Sequence, residues 1–568
     1  MNLLKTKSLQ SITLICLLGL ALFSCERKPE NPADMIVHGG NIYTATTERQ
    51  AEAVAVRDGK IVFVGAEAEA MSMKGDSTKV LDLKGKTMTP GFIESHAHIM
   101  GIGYNRLNVD LLKVKSYEEL IQKVEEVAAN TPKGQWILGR GWHQDKWEEQ
   151  TETRFKGFPT HHDLSARVPD HPVWLAHASG HMGLANEAAM NVAGINRGSS
   201  QPAGGEIFMG LDGNPTGIFN ETAQRSIVST VPENTPARDA KALELAVTEL
   251  LENGITSMHN AGAVKREIDL FKQFGESGKL NVRVYTMLNG LDSVLLNQYY
   301  QSGPEVGLYD NRLTVRSIKL YADGALGSRG AWLLEEYTDA KGKFGHNVMP
   351  MEDVQKVTLD GYANGFQVCV HAIGDRANRE VLDIFESTFA GQKTDHRFRI
   401  EHAQHIHPED IPRFAELDVI ASMQAIHMSS DRPWAIYRLG KMRIEQGAYM
   451  WRKLIESGAK VINGTDAPVE PVSAIASFYS SVTRKTLKGT PEDGYEPDQK
   501  MTRDQALRAY TLDGAYGSFE EDVKGSIEVG KLADFTVFDQ DLMTVPDNEI
   551  LNTQVDYTIV GGEIMYQR

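Results

Sequence analysis

Phe92-Ile93-Glu94-Ser95-His96-Ala97-His98 is a short apolar run that ends in two histidines two positions apart. On an extended strand residues i and i+2 face one side, so both imidazoles can reach a single ion while Ala97 points away. A His-X-His pair by itself often does no more than line a polar strand face. The remainder of the chain supplies four further donors at the ends of apolar runs: Lys319 after Arg316-Ser317-Ile318, His371 after Gln367-Val368-Cys369-Val370, His402 after Arg399-Ile400-Glu401, and Asp466 after Val461-Ile462-Asn463-Gly464-Thr465. Catalytic groups of an eight-fold β/α barrel project from the C-terminal ends of its strands, where the βα loops form one mouth. Five strand ends would then converge on one site.

Working outward, apolar strand-like runs alternate with helical ones, the pattern of a parallel sheet closed by crossover helices. Strands are expected at 92–98, 255–259, 282–288, 317–321, 368–371, 399–402, 419–424 and 460–464, with a periodic helix over 240–252. The stretch from His98 to Ile255 is too long for a βα connection and predicts an inserted subdomain over about 105–235, placed to shape substrate access. Short β-rich runs at 35–44 and 53–65, the second with an Asp58-Gly59 hairpin signal, are matched by runs at 525–538 and 555–566. The glycine-rich stretch 324–330 lacks phosphate-loop spacing and reads as a substrate loop after the fourth strand.

Each candidate residue has a chemical reason. His96 and His98 bind a divalent cation, most often zinc, through neutral nitrogens, and the Asp466 carboxylate can join them. Lys319 stands between Ile318 and Leu320 and points into the barrel if they pack outward. A buried ammonium beside a dication is disfavoured by desolvation and by like charge. Carbamylation by carbon dioxide would turn it into an anionic bridging ligand; the alternative is an unmodified lysine paired with a carboxylate such as Asp323. His371 and His402 would complete a second metal position. Two metals activate a shared water, and Asp466 could act as general base and then as general acid, hydrolysing a C–N bond. Cys369 shares a strand face with His371 but has no Cys-His-Asn arrangement, so it reads as a small buried barrel residue.

The order His-X-His, Lys, His, His, Asp resembles the amidohydrolase superfamily, and Lys319-Leu320-Tyr321-Ala322-Asp323-Gly324-Ala325-Leu326-Gly327-Ser328-Arg329-Gly330 looks like its formamide deformylase-like branch, amidohydrolase family 3. The resemblance covers nearly all of the chain after residue 33. It implies an α/β fold: a (β/α)8 TIM-like barrel over 91–510, with a discontinuous β-sandwich domain formed by both chain ends, 34–90 and 511–568. It also implies that the lysine is carbamylated and bridges two metals. His181, in Ala178-Ser179-Gly180-His181-Met182, resembles a family segment that reaches the active site and would bind the carbonyl oxygen. Trp142 and Arg329 are candidates for an apolar wall and an anion clamp. His143, His161 and His162 receive no ligand role.

At 568 residues the chain exceeds one ordinary core, and 41% hydrophobic with 24% charged residues is a globular composition. A net charge of −17 argues against a nucleic-acid partner. Lys5 and Lys7 precede an apolar run over 12–23, too short to span a bilayer and the right length for a signal-peptide core. Leu22-Phe23-Ser24-Cys25 resembles a bacterial lipobox, which makes 1–24 a signal peptide, Cys25 the lipidated first residue, and 25–33 a tether. The expectation is a membrane-anchored cell-envelope lipoprotein hydrolysing a small amide-type substrate. The alternatives are a heterocycle deaminase on the same barrel and a catalytically silent surface ligand-binding lipoprotein.

Overall fold

The computed structural model describes residues 31–148, 154–202 and 205–568. The signal peptide and Cys25 lie outside them. Eight parallel strands follow one another around a nearly closed barrel: β1 Phe92–Ala97, β2 Ile255–Ala263, β3 Arg283–Asn289, β4 Leu313–Tyr321, β5 Gln367–Ala372, β6 Arg399–His402, β7 Ile420–Met423 and β8 Val461–Asn463. Every expected barrel strand is present. β8 and β1 do not pair as a ladder; the seam is closed just above them, where the Asp466 N–H donates to His96 O and the His98 N–H to Ala467 O, both at 2.8 Å. The buried Glu94 carboxylate clamps the same seam, accepting from the His96 N–H at 3.1 Å and from the N–H and hydroxyl of Thr465 at 2.9 Å.

Strand alternation sorts the side chains. Ile318 and Leu320 of β4 join the apolar layer under the helices, leaving Lys319 inside. Helix Pro236–Glu252 shows how that layer is built: Thr235 caps it by accepting from the Arg238 N–H, Pro236 opens the first turn, and Ala242, Leu243, Ala246, Val247 and Leu250 bury one stripe. The interior is polar. Fully buried Arg399 pairs with Glu401 at 2.7 Å and donates to Ser95 O at 2.6 Å and to the Ser422 hydroxyl at 3.0 Å, so its charge is matched.

Between β1 and β2 the chain leaves the barrel and builds a six-stranded mixed sheet from segments between Val109 and Glu221, with apolar clusters of its own. Both chain ends contribute to one further eight-stranded sheet, joined where Thr87–Pro90 runs antiparallel to Phe535–Phe538. The expected hairpin turn is there: Asp58 and Gly59 both have positive φ, 50° and 72°, as a tight two-residue turn requires. Arg283 of β3 holds this sheet to the barrel through two bonds to Asp534, at 2.7 and 2.8 Å. Among the described residues no helix is long and apolar enough to cross a membrane.

Candidate metal centre

The barrel mouth brings His96, His402 and Asp466 together, with one ligand atom from each lying within 4.8 Å of the others. Asp466 Oδ1 is 3.6 Å from His96 Nε2 and 3.3 Å from His98 Nε2. His371 stacks edge-on to His402 with ring centroids 4.5 Å apart, and Lys319 Nζ lies 3.4 Å from His96 Nε2. All six residues expected from the sequence therefore surround one space. The grouping differs from the expected one: His402 joins His96 and Asp466 in the tight set, whereas His98 is more exposed and touches that set through Asp466.

Backbone geometry at two strand ends produces this convergence. Simple alternation would send Glu401 and His402 to opposite sides of β6, but His402 and Ala403 have φ of 75° and 41°, which turns the imidazole back into the mouth. Asp466 has φ of 57°. Left-handed backbone is costly for non-glycine residues and is found where surrounding structure enforces it, commonly at functional sites.

The inner nitrogens are fixed by partners. His96 Nδ1 lies 2.5 Å from Glu401 Oε2, His98 Nδ1 lies 3.1 Å from Ala261 O, and His402 Nδ1 lies 2.7 Å from Gln424 Oε1. This leaves each Nε2 free to act as a ligand, with the supporting carboxylate or carbonyl that metal-bound imidazoles generally have. Burial, then Lys319, lowers the His96 pKa to about 4, and burial also holds His371 and His402 well below the usual imidazole range. They are neutral, as ligands must be. The buried His371 Nε2 has no hydrogen-bond partner among the described residues. Burial opposes ionisation of Asp466, but its bond with His98 and the His96 and His402 imidazoles outweigh that and keep it well below the carboxylate range. The donor set fits a divalent cation in composition, protonation and orientation.

Lys319 is buried, and burial lowers its pKa. Asp323, offered as its carboxylate partner, is committed elsewhere: it accepts from the backbone N–H groups of Trp332, Ile373 and Gly374 and faces His371 Nε2 at 3.4 Å. Cys369 is buried, and burial pushes its thiol up to about 12, so it carries no thiolate.

A cavity of about 130 Å³ opens beside the donors, lined among others by His181, Leu326, His371, His402, His427 and Asp466. His181 comes from the insertion, with Nδ1 3.0 Å from Glu221 Oε2. Ala325, Leu326 and Gly327 place the glycine-rich loop on the cavity wall. Two expected contributors are elsewhere. Trp142 is fully buried in the insertion core, where its Nε1–H donates to Leu175 O at 2.8 Å and its ring packs against His177 and Trp147, and it does not line the cavity. Arg329 donates from Nε and Nη2 to Asp339, at 3.1 and 2.9 Å, which commits two of its three guanidinium nitrogens to a protein carboxylate, and it does not line the cavity. Glu401, Gln424 and Glu221 were not singled out. Of these only Glu401 had a sequence signal, its place inside Arg399-Ile400-Glu401-His402.

Comparison with known proteins agrees with this geometry. The pattern of the amidohydrolase family matches residues 79–566. Protein LONG AFTER FAR-RED 3 of Arabidopsis thaliana is 31% identical, covering 94% of this chain and 92% of that one. N-substituted formamide deformylase of Arthrobacter pascens is 27% identical over 94% of this chain and 98% of its own length. Among solved structures, a metal-dependent hydrolase of Pyrococcus horikoshii superposes with a TM-score of 0.73 and 28% identity, covering 90% of this chain and 99% of that one.

Proposed function

The chain belongs to the amidohydrolase family, and from that premise we propose that it hydrolyses a small amide-type substrate, an N-acyl, formamide or cyclic-amide compound, in a metal-dependent reaction at the mouth of its barrel. It is a hydrolase of carbon–nitrogen bonds other than peptide bonds. The observation that carries the reading is the approach of His96, His402 and Asp466 donor atoms to within 4.8 Å of one another at the strand ends.

His96, His98, His402 and Asp466 would hold one ion, with His371 and Lys319 available to a second. Zinc suits this nitrogen and oxygen set, and such an ion supplies Lewis acidity toward the carbonyl and lowers the pKa of water. The protein's own groups do the rest. Asp466, ionised and facing His98 Nε2 at 3.3 Å, accepts the proton of the attacking water and passes it to the leaving nitrogen. His181, oriented through Nδ1 by the Glu221 carboxylate, would bind the carbonyl oxygen as an imidazolium, donating its Nε2–H to it. Lys319 reacts as the free amine with carbon dioxide, forming an N–C bond and releasing one proton, to give an anionic carbamate. Its burial and its lowered pKa favour the amine that this step needs. Lys319 also favours amide hydrolysis over heterocycle deamination.

The test is a panel of N-formyl, N-acyl and cyclic amides with the purified protein before and after chelation. Hydrolysis of at least one class, lost on chelation and restored by zinc, is the expected result; hydrolysis indifferent to chelation refutes the reading. We also infer that the end sheet is the discontinuous β-sandwich of the family, since apolar clusters occupy both of its faces. The lipobox supports an exported, membrane-anchored protein, for which fatty-acid labelling should be lost in Cys25→Ala; labelling that persists would place the lipid elsewhere or reject it.

A further inference from the structure

The helix that leaves β7, Ala425–Leu439, turns one face to the cavity: His427, Asp431 and Trp434, at positions i, i+4 and i+7, all line it. None of the three belongs to the candidate metal centre. His427 is 7% exposed and its Nε2 has no hydrogen-bond partner among the described residues; the Trp434 indole N–H is likewise unmatched. Asp431 accepts one hydrogen bond, from the neighbouring Ser430 hydroxyl at 3.2 Å, and no ion pair to it exists among the described residues. The cations nearby are engaged. Lys146 lies 3.7 Å from Glu470, and Arg438 pairs with Asp339 and donates to Gly327 O at 3.3 and 3.2 Å.

A half-buried carboxylate with lone pairs to spare, next to a buried unmatched imidazole nitrogen and an indole ring, is costly to the folded protein on its own. The carboxylate and the imidazole suit a ligand that brings several N–H donors and a positive charge: the carboxylate takes charge-assisted hydrogen bonds and the imidazole accepts one, while the indole, over whose ring Arg438 already lies 5.7 Å from the centroid, serves as an apolar wall. Size sets a bound, because a cavity of about 150 Å³ suffices for benzene. The 130 Å³ here admits a group of similar compactness.

We propose that the enzyme takes amide substrates whose end remote from the scissile bond is a compact cation, a guanidinium or alkylammonium, and that Asp431 is the residue that selects it. This rests on the amidohydrolase reading for the word substrate, but the recognition is testable without turnover. Calorimetric titration of the purified full chain would compare methylguanidine with its neutral isostere N-methylurea. Methylguanidine should bind at least about tenfold more tightly, a preference that shrinks with added salt and disappears in Asp431→Asn. Asp431→Glu, which keeps the charge, should retain part of it. Equal affinity for the two probes, no binding of methylguanidine, or an undiminished preference in folded Asp431→Asn each overturns the proposal. Such a failure leaves hydrolysis untouched, and absence of hydrolysis leaves the binding result standing.

Discussion

Lys319 has the most decisive chemistry of any single residue. Its neighbours on β4 pack outward, its nitrogen sits 3.4 Å from His96 Nε2, and no carboxylate pairs with it within 4.0 Å among the described residues. An ammonium held there would stand against any bound dication, whereas a carbamate would be attracted to it. Lys319→Ala should therefore lose metal and lower kcat by about a hundredfold or more, and acetate or propionate should restore part of both by entering the vacated space. Lys319→Arg, which keeps the charge and fills the space, should not be rescued. Activity and metal content near wild type in Lys319→Ala would reject the bridge and leave a site built on His96, His402 and Asp466.

Elements decide where these residues point, and here the sequence was only partly legible. The donors at the ends of β1, β4 and β5 could be read from alternation, since His96, Lys319 and His371 lie inward on regular strands. His402 and Asp466 could be assigned to the site by their place in the chain, but not their aim, because that depends on left-handed φ values which tertiary packing enforces. Trp142 was misplaced for a related reason: the insertion has a core of its own, and a tryptophan there satisfies that core first. The partner of His181 was not visible, since Glu221 lies forty residues away on another strand of the insertion. That strand ends in strain, with Glu221 at φ 48° and ψ −126° while its N–H donates to His181 O at 2.8 Å. Backbone and carboxylate together fix one imidazole. Glu221→Gln should lower kcat about tenfold or more, with KM and metal content little changed, and Glu221→Asp should recover part of the loss. A rise in KM at constant kcat would instead make Glu221 a residue of substrate binding.

At the scale of the whole molecule, a barrel, an insertion and a sheet from both chain ends divide the work. The barrel supplies donors on rigid strands, the insertion brings His181 over the mouth, and the end sheet is tied to β3 through Arg283 and Asp534, on the barrel side away from the site. The barrel order was readable from alternation, whereas the pairing of the chain ends was expected from the family resemblance alone. The internal form of the insertion was not legible, because its strands are short and mix parallel with antiparallel pairs. Because the apolar layer under the helices holds the barrel together, its ligands can be removed without unfolding it. Elemental analysis of purified wild-type protein beside His402→Ala uses that separation directly. The wild-type chain should carry about one or two equivalents of a divalent metal, and folded His402→Ala should lose metal and hydrolysis together. A wild-type protein that hydrolyses its substrate with no bound metal, or a His402→Ala protein with full metal content and full activity, would contradict the assignment.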